Sequence, residues 1–134
     1  MVELVVRVEA EVYPTESPEK VVEAVEKIFP KINSQIRWLD DSAVVEGSST
    51  SLESLETLKR LLKERRIRAA ARRILKESVT GDELTFYLNK EAAYAGKVSF
   101  AEPFIESPLP PIKVTIKSSE LEEVIEWLTE RSAP

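Results

Sequence analysis

From Glu3 to Tyr13 the chain alternates strictly, with Leu4, Val6, Val8, Ala10 and Val12 on one side and Glu3, Arg7, Glu9 and Glu11 largely on the other. A period of two is the spacing of a β-strand with one face buried and the other wetted. The period returns at Glu83–Asn89, where Leu84, Phe86 and Leu88 alternate with Thr85, Tyr87 and Asn89, and again at Ile112–Lys117. Strands of this kind belong to a largely antiparallel sheet covered on one face only.

The segments between these strands supply the cover. Ser17-Pro18 reads as a helix N-cap followed by proline at the first helical position, with Glu19 favourable to the dipole. That helix puts Val21, Val25, Ile28 and Phe29 on one face and must end before Pro30. Ile32–Leu39 and Ser42–Gly47 read as a hairpin about Asp40-Asp41. Thr50 and Glu53 have capping-box spacing, and Leu52, Leu55, Leu58 and Leu62 form the buried stripe of the next helix. At 100° per residue Arg65 and Arg66 fall on the edges of that stripe, so the helix is expected to break there and a fresh one to begin near Ile67.

Further on, Asn89 is placed to cap a short turn through Ala92-Ala93 that Gly96 stops, and Lys97–Phe100 resumes extended structure. Ser107–Pro111 is a rigid connection, and Ser119 with Glu122 has the spacing to cap a last helix burying Leu121, Val124, Ile125 and Leu128. Hairpins mixed with helices give the expected fold class: α+β, a single two-layer domain over residues 1–134, with helices packed on one face of the sheet.

A length of 134 residues is enough to bury a core without staples. The chain has no Cys and no His, which removes disulfides, thiolate nucleophiles, Ser-His triads and the usual zinc sites together. With only three Gly, no phosphate-cradling glycine loop can be assembled. The expectation is therefore a protein that is not an enzyme, with no catalytic residues, no metal and no small-molecule cofactor. No apolar run approaches a membrane span and MVELVVRVEAEV is not a signal peptide, so the expected location is cytoplasmic. Few Asn, Gln and Met among many Glu, Lys and Arg is a balance met in thermophile proteins.

The charge is unevenly placed. Lys59–Lys76, KRLLKERRIRAAARRILK, holds nine Lys and Arg against Glu64 alone, a formal +8, in a chain whose total is −5. Arg60 lies four residues from both Glu56 and Glu64, so ion pairs can occupy the first half. In the second half Ile67, Ala70, Ala71 and Ile74 read as the buried side, leaving Arg68, Arg72, Arg73 and Lys76 fanned around Ala69 with no acid among them. Like charges at i, i+4 disfavour the isolated helix, so an anion from outside is a sensible compensation. A solvated face, an RNA phosphate backbone and an acidic protein surface all satisfy it. Were RNA the partner, Arg65 and Arg66 at the break would be further contacts.

An acidic surface exists in the same chain. Glu122, Glu123, Glu126 and Glu130 share the outer face of the last helix, with Trp127 at its edge, so two copies could pair basic helix with acidic helix as a homodimer. A second RNA candidate is the turn from Asn89 to Lys97, where Lys90 and Lys97 stand near a helix N-terminus and Tyr94 could stack on a base.

At Phe86-Tyr87-Leu88-Asn89-Lys90, Ala92-Ala93-Tyr94 and Gly96-Lys97-Val98-Ser99-Phe100 the chain resembles an archaeal family whose members carry an inferred RNA-binding role. The likeness continues at Glu106-Ser107-Pro108-Leu109 and Pro111-Ile112-Lys113-Val114 and covers nearly the whole chain. What it implies is an α+β layer similar to the ribosomal protein that holds the small ribosomal RNA of the large subunit, and with it an RNA partner. It implies no catalytic residue.

Overall fold

The computed structural model describes residues 3–101 and 110–130. The element order is β1 (Val5–Val12), α1 (Pro18–Ile28), β2 (Gln35–Trp38), β3 (Ala43–Ser49), a 3-10 turn (Leu52–Leu55), α2 (Glu56–Glu64), α3 (Arg68–Glu77), β4 (Val79–Thr80), β5 (Glu83–Leu88), α4 (Lys90–Tyr94), β6 (Phe100–Ala101), β7 (Ile112–Lys117) and α5 (Leu121–Leu128). The seven strands form one antiparallel sheet in the order β2-β3-β1-β7-β5-β4, with β6 beside β5. The protein is thus an α+β domain built on an antiparallel sheet, as the alternating segments required. Among the described residues no helix is long and apolar enough to cross a membrane.

β1 sits centrally because its alternation fits two neighbours at once, pairing with β3 (Val8 opposite Gly47) and with β7 (Val8 opposite Val114). Val6, Val8, Ala10 and Val12 are buried, as are Leu84, Phe86 and Leu88 of β5 and Ile112, Val114 and Ile116 of β7. Their layer is covered by α1 through Val21, Ala24, Val25 and Ile28, by α2 through Leu58, Leu61 and Leu62, and by α5 through Leu121, Val124, Ile125 and Leu128. Ser17 caps α1 by accepting from the Lys20 amide, and Pro18 takes the first turn.

Local details depart from the sequence reading. Ile32 does not begin a strand: its amide bonds the Phe29 carbonyl at 3.1 Å and its side chain is buried under β3. The cap before α2 is Ser51, accepting from the Glu53 amide at 3.1 Å, and not the Thr50–Glu53 box. Before α5 the Ser118 hydroxyl accepts from the Glu120 amide at 3.0 Å, in place of a Ser119–Glu122 box. The reason is the same in both: neighbouring hydroxyls compete for one role, and the chain direction entering the turn selects between them. The two-residue strand β4, turned at Gly81 with φ 64°, had no periodic signal. Of the Ser107–Pro111 connection, residues 107–109 lie outside the described residues.

Gly47 continues β3 over the Ile32 turn. A Cβ there would lie 2.7 Å from Ile32 Cγ2 and 2.8 Å from the Asn33 carbonyl oxygen. Because the second contact is backbone, relief requires the strand or turn to move. Gly47→Ala is expected to destabilise the fold by about 1–3 kcal/mol, read from the shift of its urea midpoint.

Candidate nucleic-acid interface

α2 ends in a sharp corner. The Arg66 amide bonds the Lys63 carbonyl at 3.1 Å, and the Ile67 amide reaches back to Leu62 at 3.2 Å, the paired bonds of a Schellman motif. Its left-handed position, usually glycine, is held by Arg66 at φ 57°. The break read from the edge positions of Arg65 and Arg66 is therefore real, and both side chains are exposed on it. An L-residue in this region carries a backbone cost that glycine escapes. Arg66→Gly is expected to raise stability by up to about 1 kcal/mol in thermal unfolding, while removing one cation from the corner.

Past the corner, α3 is rotated from its expected orientation. Ala71 and Leu75 are its buried residues, Ile67 and Ile74 are half-buried, and Ala70 is exposed. The rotation brings Arg68 and Arg72 toward α5. Arg72 has a side chain only 16% exposed; its Nε donates to Thr129 Oγ1 at 3.0 Å and its Nη2 to the Thr129 carbonyl at 2.6 Å, with Glu126 at 3.6 Å. Arg68 donates to the Glu130 carbonyl, and Lys76 stands 3.4 Å from Glu126. On α2, Lys59 lies 2.9 Å from the Glu130 carboxylate and 4.5 Å from the centre of the Trp127 ring. Its hydrogen bond holds the Glu130 carboxyl below the usual glutamate value. The basic and acidic helices thus meet within one chain, and Trp127 serves that seam at the edge of the core.

What remains outward is smaller than the whole fan. Arg73 lies on the side of α3 opposite Ala71 and Leu75, beside the exposed Ala69 and Ala70. Among the described residues Arg65, Arg66 and Arg73 take part in no ion pair, whereas Arg60 is held by Glu64 at 3.0 Å. The corner and the outer face of α3 therefore present cations that the fold does not use.

Residues 5–118 match the family model described as RNA binding. The chain belongs to that family. Its relatives carry the name UPF0201 protein: one from Sulfolobus acidocaldarius is 44% identical over 128 residues, covering 94% of this chain and 87% of its own. Another from Methanothermobacter thermautotrophicus is 42% identical over 123 residues, covering 92% and 89%. A crystal structure of the UPF0201 protein from Methanococcus jannaschii is similar with TM-score 0.84 at 34% identity, over 96% of this chain and 95% of that one. The family thus occurs in archaea that include thermophiles, in keeping with the composition.

This UPF0201 chain treats its second candidate segment differently from the first. Asn89 caps α4 by accepting from the Ala92 amide at 2.8 Å, and Gly96 at φ 77° ends the turn, as read. Lys90, however, is buried: its ammonium donates to the Glu11 carbonyl at 2.6 Å and to both Glu16 carboxylate oxygens at 3.1 Å. All three protons are committed, so Lys90 is corrected from a surface contact to an interior tether of α4. Lys97 is exposed. Tyr94 is 40% exposed, with the Lys27 ammonium 4.7 Å from its ring centre and donating to its carbonyl at 2.5 Å. Among the described residues no cluster of acids could hold a metal ion.

One feature of this chain's fold left no sequence signal. α1 and α4 enclose a cleft of about 440 Å³ that includes Thr15, Lys20 and Tyr94 in its walls. Its two helices are more than sixty residues apart along the chain. Local spacing says nothing of such a meeting.

Proposed function

We propose that this protein is a non-enzymatic cytoplasmic RNA-binding domain that holds a phosphate backbone against the α2–α3 corner. Arg65, Arg66 and Arg73 make the leading contacts, Lys76 lies beside them, and Lys97 is a secondary contact. The observation that carries the reading is a cluster: Arg65, Arg66 and Arg73 stand exposed at the corner and on the outer face of α3, with no ion pair among the described residues, while Arg60, Arg72 and Lys76 beside them each have a carboxylate within 4 Å. In a chain of net charge −5, unpaired cations shared between that corner and the outer face of α3 suit an anionic polymer. The family's description as RNA binding supports RNA as that polymer. The resemblance to the ribosomal protein that holds a small structured RNA is part of the same reading, and it favours folded RNA over an extended strand.

The test is binding of a structured RNA across a salt series. A contact made through several phosphates weakens log-linearly with salt, at roughly 0.9 per phosphate neutralised on a duplex. Binding that is flat with salt, or undetectable near physiological ionic strength, would remove the reading.

A further inference from the structure

We propose that the cleft between α1 and α4 seats one unpaired nucleotide of the bound RNA, its base against Tyr94 and its phosphate beside Lys20. The inference rests on the RNA reading, and it adds a site that the backbone contact at the corner does not need. At about 440 Å³ the cleft falls in the range of small-ligand sites, far too small for a duplex and ample for a single nucleotide.

Its chemistry is divided along its length. Val21 and Ala24 give an apolar wall and Tyr94 a half-exposed aromatic one. The Lys27 ammonium near the ring and its bond to the Tyr94 carbonyl fix that tyrosine in place. At the other end stand Thr15, the capping Ser17 and Lys20, which has no ion pair among the described residues. The cleft also reaches Lys90 and Glu16, but these neutralise each other and leave the Lys90 charge unavailable to a ligand. Glu91, also lining the cleft, is an acceptor suited to the exocyclic amine of a base and unsuited to a phosphate. A ligand that is flat and aromatic at one end and anionic at the other fits this order, and an unpaired nucleotide is the unit of RNA that has both. Stacking of splayed bases on aromatic side chains is the usual way single-stranded RNA is read.

The experiment titrates the full chain with adenosine monophosphate, with inorganic phosphate, with a short single-stranded oligoadenylate and with duplex RNA, following backbone amide shifts. The monophosphate should move the amides of Ser17, Lys20, Glu91 and Tyr94, and bind more tightly than phosphate alone. Tyr94→Ala should weaken it about fivefold or more and Tyr94→Phe should restore it, a rescue that a purely structural tyrosine would not produce. Duplex RNA has no unpaired base, so its affinity should be the same for wild type and Tyr94→Ala. Shifts confined to other residues, equal affinity for phosphate and nucleotide, or an unaffected Tyr94→Ala variant would each overturn the proposal. An oligonucleotide binding no more tightly than the monophosphate would assign the cleft to a free nucleotide and overturn its assignment to RNA. Duplex binding that persists while the cleft stays silent counts against the cleft alone. Cleft shifts that persist while duplex binding fails count against the corner alone.

Discussion

Lys90→Met is expected to cost about 3–5 kcal/mol of folding stability, the largest single-site loss proposed for this chain. The side chains of Lys90 and Glu16 are 4% and 9% exposed, and the ammonium also satisfies the Glu11 carbonyl from β1. Methionine replaces the stem but leaves the Glu11 carbonyl without this donor and the Glu16 carboxylate without its counter-charge, held by the Tyr13 amide at 3.0 Å. Since domains of this size are stable by only about 5–15 kcal/mol, thermal unfolding should show the effect plainly. The cost belongs to the stranded charge more than to the bond, so Glu16→Gln combined with Lys90→Met should recover most of it. Burial pushes the Lys90 ammonium below the ordinary lysine value, although Glu16 pulls it back in part. In the window between that lowered value and 10.5 the unfolded chain binds more protons than the folded one. Wild-type stability should therefore carry an upward contribution with pH across that window, and Lys90→Met should lose it.

Replacing Arg65, Arg66 and Arg73 together by alanine should lower the slope of log affinity against log salt by about 2 to 3. Near 0.1 M salt that corresponds to a loss on the order of a hundredfold in affinity for structured RNA. The three side chains are exposed and make no ion pair among the described residues, so little native structure depends on them. Stability should stay nearly unchanged, because alanine at position 66 carries the same left-handed backbone cost as arginine. An equilibrium binding series on wild type and variant, paired with a melting curve, measures both effects.

The parts of this structure legible in the sequence are those set by near neighbours. The alternation of β1, the Ser17-Pro18 entry, the Asn89 cap and the break at Arg65-Arg66 depend on residues within one or two turns, and each forms where it was read. The orientation of α3 is different. Ile67, Ala70, Ala71 and Ile74 make as good an apolar side as Ala71 and Leu75, and the elements packed on α3, among them α5 some fifty residues later, decide between them. Arg68 and Arg72 bond the backbone carbonyls of Glu130 and Thr129 at the end of α5, a use of arginine that a count of charges does not reveal. Lys90 was misread for a related reason, since its partner Glu16 lies 74 residues earlier. The acidic mirror of the basic helix was visible in Glu126 and Glu130, but which copy of the chain would supply it was not.

On the proposed reading the basic helix divides into arginines that hold the fold and arginines that meet RNA, and one comparison tests the division: the salt slope and the melting temperature of Arg72→Ala beside those of Arg73→Ala. Arg72→Ala should melt earlier, losing about 1–3 kcal/mol with its bonds to Thr129, and keep the wild-type salt slope. Arg73→Ala should melt as wild type does and lose about one unit of slope. A slope that falls for Arg72→Ala and holds for Arg73→Ala would contradict the account.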